Sequence, residues 1–123
     1  MNWETHVLFE VNDLFDFEPE ELEGLDRIDR RTAVKNIVAS RIRRNFGDLD
    51  DVDLLSRIEN PQVLREAAIF LNLNLVFYAN STGGGVFSAK AEQYANRFEM
   101  AIRQAMELLR FDGLERSGVT LVR

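Results

Sequence analysis

The chain has 123 residues, 46% hydrophobic and 29% charged, with no cysteine, one histidine and a formal net charge of -6. That length and apolar fraction fit one domain with a real core. The missing thiol excludes disulfide stapling, thiol nucleophiles and thiolate metal sites, and a lone His6 excludes a two-histidine metal site and argues against a His-centred triad.

Residues 1–26 carry nine acids and no base, interleaved with Trp3, Phe9, Phe15 and Phe17. Val7, Leu8, Val11, Leu14 and Phe15 fit one or two amphipathic turns. Pro19, three acids and Gly24 spell another short turn. Residues 1–25 are therefore expected as an acidic aromatic arm or as short helices. In the arm reading they order only on a partner, with Trp3 and His6 as contact residues. The start, Met1-Asn2-Trp3-Glu4, lacks the basic and apolar regions of a signal peptide. Apolar runs break well short of the roughly 20 residues that cross a bilayer. The expectation is a soluble protein of a reducing compartment, with no membrane partner.

The first strong helix is predicted over 26–46, with Ile28, Val34, Ile37, Val38, Ile42 and Phe46 on one stripe and Gly47 as the C′ stop. Residues 27–44 hold seven bases against Asp29 alone. An acidic connection follows, with a short helix around 52–58. Asn60-Pro61 is a cap followed by Pro at N1, and it starts a helix to Tyr78 that is apolar nearly all round. Such a helix is central, covered by its own chain or by neighbouring copies. After a loop ending in Gly83-Gly84-Gly85, Ser88 is expected to cap a last helix over 89–111. Its apolar face is Ala91, Tyr94, Ala95, Phe98, Ala101, Ile102, Ala105, Leu108 and Leu109. The tail, 114–123, holds a β-prone run, Val119 to Val122, after a Ser117-Gly118 pivot. The fold expected is all-α: a small bundle of three to four helices over 26–113, with extended N- and C-terminal arms.

Chemistry finds few footholds. Counted as a calcium loop from Asp48, position 3 is Asp50 and position 12 is Glu59, but Val52 and Asp53 fill positions 5 and 6, where a ligand and a glycine belong. The triple glycine lacks the lysine and the preceding strand of a phosphate loop, so a hinge is the simpler reading. No spacing singles out a carboxylate pair. No metal, no cofactor and no enzymatic activity are expected. The basic helix 27–44 can hold nucleic-acid phosphates, which leaves a small nucleic-acid-binding or regulatory protein as the alternative function. Pairing with an acidic surface, internal or on a neighbour, suits the segregated charge better. This nominates Arg41, Arg43 and Arg44, with Asp48, Asp50 and Asp51, as subunit-interface residues.

Three stretches carry a family likeness: Arg31-Thr-Ala-Val-Lys-Asn-Ile-Val-Ala-Ser-Arg-Ile before an acidic connection; Pro61-Gln-Val-Leu-Arg-Glu-Ala-Ala-Ile-Phe-Leu-Asn-Leu; and Ala91-Glu-Gln-Tyr-Ala-Asn-Arg-Phe-Glu-Met-Ala-Ile with Leu108-Leu-Arg-Phe-Asp-Gly after it. Their order over 26–113 resembles the head–tail connector, or adaptor, proteins of tailed bacteriophages. Residues 1–25 depart from the short N-terminal helix of that pattern. The resemblance implies a non-enzymatic virion protein at the head–tail junction, synthesised in the host cytoplasm. It would dock on the portal as a homo-oligomeric ring, commonly of twelve copies, and carry the next neck or tail-completion protein. DNA would pass its channel without specific binding. By the same resemblance the C-terminal arm enters the portal, here through Leu114, Val119, Thr120, Leu121, Val122 and Arg123, where a β-prone tail can add a strand to a partner's edge.

Overall fold

The computed structural model describes residues 1–47, 54–82 and 85–113. It is a small all-α bundle of three long helices: α1 (Arg31–Asn45), α2 (Arg65–Ala79) and α3 (Val86–Leu108). Short 3-10 helices at Val11–Asp16, Leu54–Arg57 and Pro61–Leu64 complete the helical elements among the described residues.

α2 is the central helix. Its run from Ala67 to Leu73, with Val76 and Phe77, is buried. The cover comes from the same chain. α3 lies antiparallel along one side, with Asn74 Nδ2 donating to Ala91 O at 2.8 Å and the Phe77 ring stacked 5.7 Å from Phe87 and 6.0 Å from Tyr94. α3 turns Ala91, Tyr94, Phe98, Ile102, Ala105 and Met106 inward at spacings of three, four and one, the stripe of an amphipathic helix. α1 contributes Val34, Val38, Ala39 and Ile42 to the same core.

The helix boundaries moved from the expected ones, each for a local reason. α1 begins at Arg31 rather than 26. Asn72, fully buried on α2, accepts from the Arg30 N–H at 2.8 Å and donates to Ile28 O at 2.7 Å, holding the chain out of the helix there. Arg27 sits at φ +55, and Asp29 takes the Arg31 N–H on its side chain at 3.1 Å. Gly47 is not in the left-handed conformation expected of a C′ glycine; α1 closes on buried Phe46, whose N–H still reaches Ile42 O.

Asn60 does not cap the following helix with its side chain. Its Nδ2 donates to Leu108 O and its Oδ1 accepts from the Arg110 N–H, both at 2.8 Å. This draws residues 109–112 out of α3, which ends at Leu108 rather than Phe111. α3 also starts before Ser88, because Gly85 at φ +83 serves as its N-cap and accepts the Ala89 N–H.

Residues 1–25 hold one short 3-10 helix, Val11–Asp16, among turns, and pack on the bundle. Trp3, Leu8, Phe9, Leu14 and Leu22 are buried in the core the three helices share. Trp3 is therefore a core residue and not an exposed contact residue; burying its large indole stabilises the segment against release. His6 is half-buried beside it.

Candidate functional site

The acidic N-terminal segment meets bases from all three helices. Glu10 pairs with Arg31 of α1 at 3.7 Å, Asp13 with Arg65 of α2 at 3.2 Å, and Glu18 with Lys90 of α3 at 2.8 Å. The first two are surface pairs worth at most about 1 kcal/mol each. Glu18 differs: it is buried, and its second oxygen accepts from the Tyr94 hydroxyl. Burial, then the Glu18 carboxylate, push the Tyr94 hydroxyl well above the usual phenol range, so it remains a donor. Lys35 completes the attachment. Its ammonium donates to the carbonyls of Trp3, Glu4 and His6 and lies 5.3 Å from the Trp3 ring centroid. Desolvation pushes the Lys35 ammonium below the ordinary lysine range.

Of the nominated interface residues, Arg41 is already engaged within the chain. It forms a bidentate pair with Glu99 of α3 and packs 5.2 Å from the Phe98 ring centroid. The guanidinium holds the Glu99 carboxyl below its usual range, and Arg103 and Arg44 add to the effect. Arg41, Arg44 and Arg103 border a groove of about 280 Å3 between α1 and α3, with Ile102 and Met106 in its lining. Arg43 is exposed on another side of α1, lining a smaller cavity with Trp3 and Leu55. Neither Arg43 nor Arg44 forms an ion pair with a described residue. Asp48, Asp50 and Asp51 lie outside the described residues.

A second feature is the exit of the chain. The Glu59 N–H donates to Arg110 O at 2.8 Å and the Asp112 N–H to Arg57 O at 2.6 Å. Ile58 and Phe111 bridge antiparallel between these bonds. Phe111 is buried edge-on against Phe46, centroids 4.9 Å apart. At Gly113 φ is +77, and a Cβ there would come within 2.9 Å of Arg57 Nη1. These hydrogen bonds tie the backbone to the 57–59 segment as far as Asp112. The nominated tail residues Leu114, Val119, Thr120, Leu121, Val122 and Arg123 lie outside the described residues.

Glu99, Arg103, Asn60 and Asn72 were missed at the level of sequence. Glu99 and Arg103 stand four residues apart on α3, a spacing that marks a paired helix face. Asn60 was read as a helix cap, and Asn72 falls within the helix read as apolar nearly all round. Among the described residues no group of three or more His, Asp or Glu side chains is placed to hold a metal ion. No helix among them is long and apolar enough to cross a membrane. Comparison of the chain with protein-family models, with curated proteins and with solved structures gives no match.

Proposed function

We propose that this chain is a structural adaptor of a tailed-bacteriophage head–tail junction, a non-enzymatic part that assembles as a ring on the portal and extends the DNA channel toward the neck or tail. The observation that carries the proposal is the pinned exit. Asn60, Glu59 and Arg57 tie down the backbone of residues 108–112, so the segment that carries the β-prone run begins at an anchored point of the bundle. A docking strand launched from a rigid root loses less entropy on binding than one launched from a frayed helix end. The family likeness over 26–113 is the second support, and the all-α bundle is compatible with it.

The basic helix offers less to nucleic acid than its seven bases suggest. Arg31, Lys35 and Arg41 are committed to Asp29 and Glu10, to backbone carbonyls, and to Glu99. What remains exposed suits neighbour contacts. The test is deletion of residues 114–123 followed by co-sedimentation with portal rings. The adaptor should lose portal binding and keep its urea midpoint. Portal binding unchanged by the deletion would overturn the docking role.

A further inference from the structure

Seven of the nine acids of residues 1–26 fall into two sets. Glu10, Asp13 and Glu18 are tied to bases of the same chain, whereas Asp16, Glu20, Glu23 and Asp26 are exposed and form no ion pair with a described residue. The second set lies on one turn-rich stretch, fixed to the bundle by buried Glu18 and Leu22. At the groove between α1 and α3 the imbalance is reversed. Arg41, Arg44 and Arg103 surround one carboxylate, Glu99.

The acidic turn joins the N-terminal end of α1, and Arg41 and Arg44 lie near its C-terminal end. At about 1.5 Å per residue the two patches are roughly 20 Å apart along the helix. This is about twice the Debye length at physiological salt, so neither patch neutralises the other within one molecule. Complementary patches at opposite ends of one chain satisfy each other between copies, head to tail, and such a contact makes a ring when its rotation closes.

We propose that the Arg41–Arg44–Arg103 groove receives the acidic turn 16–26 of a second copy of this chain. The inference rests on the ring reading above and names the two faces that meet. Individual exposed pairs are weak, so the contact acts as a network that fixes register and steers encounter.

The test uses the full chain and reversals of each patch. One variant carries Glu20→Arg and Glu23→Arg; the other carries Arg44→Glu and Arg103→Glu. Self-association is followed by sedimentation velocity from about 50 to about 200 mM salt, a range over which screening shortens appreciably. Wild type should associate reversibly and weaken at least about tenfold across that range. Each variant alone should remain monomeric. Mixing them should restore association, because each variant's groove then meets a turn of opposite charge, and this rescue also shows that both are folded. A wild-type chain that stays monomeric throughout overturns the proposal, as does association unchanged by either reversal, or a mixture without rescue. Portal binding is scored separately. A chain that binds the portal but ignores the reversals overturns this contact alone. Reversal and rescue without portal binding overturn the portal reading alone.

Discussion

Glu18 and Tyr94, 76 residues apart in sequence, meet inside the protein, where the tyrosine hydroxyl donates to the carboxylate and Lys90 closes the other oxygen at 2.8 Å. The link joins the N-terminal segment to the last helix. It makes the acidic stretch a structural part of the bundle.

Replacing Glu18 with Ala removes the acceptor of a buried hydroxyl and the partner of a largely buried ammonium. The expected loss is about 2 kcal/mol, the cost of leaving such groups unpaired. Urea unfolding measures it. A loss below about 0.5 kcal/mol, the scale of an ordinary surface substitution, would mean that the network contributes little.

Lys35→Met tests the attachment further toward the N-terminus. The ammonium gathers three carbonyls of residues 3–6, and Trp3 is the only tryptophan in the chain. The variant should red-shift the Trp3 emission and make it easier to quench with iodide. An unchanged spectrum and unchanged quenching would show that apolar burial alone holds the segment.

Asn72→Ala should be costlier than its size suggests. The side chain satisfies the backbone at both Ile28 and Arg30 from a fully buried position on α2. Two orphaned backbone groups predict a loss of about 2–4 kcal/mol, read as a lower urea midpoint. A loss near that of an exposed Asn-to-Ala change would contradict the role given to Asn72.

These residues also show what was legible in the sequence. Periodicity located all three long helices, because an apolar stripe at helical spacing has few other uses. The helix ends were less legible. α3 stops at Leu108 because Asn60 captures the backbone on either side of Leu109, and no local signal near residue 108 encodes a partner 48 residues away. The same holds for the charges. The segregated charge suggested pairing of acidic with basic blocks, but whether Arg41 meets a neighbour or Glu99 depends on how α1 and α3 cross. The acidic aromatic composition of residues 1–25 left an arm and short helices both open, and only the packed core shows Trp3 inside it.

The pair at the groove sets a pH dependence. Arg41 holds Glu99 below its ordinary value of 4.5, as Arg31 holds Asp29 below 3.8. A depressed carboxyl binds fewer protons folded than unfolded. Its stabilisation is therefore complete above the ordinary value and is lost as pH falls through the folded one. Because about half of the Glu99 side chain is exposed, solvent screening keeps the contribution small. Carboxyl NMR should place the Glu99 midpoint below 4.5 in the wild type and return it toward 4.5 in Arg41→Gln. A wild-type midpoint at the ordinary value would remove the pair as an electrostatic feature.

Negative-stain imaging of the full chain mixed with a candidate portal protein tests the adaptor proposal most directly. The predicted result is an added ring of density on one face of the portal, sharing its axis, and absent when residues 114–123 are deleted. Bare portals at every protein concentration, beside a chain that stays monomeric, would contradict it.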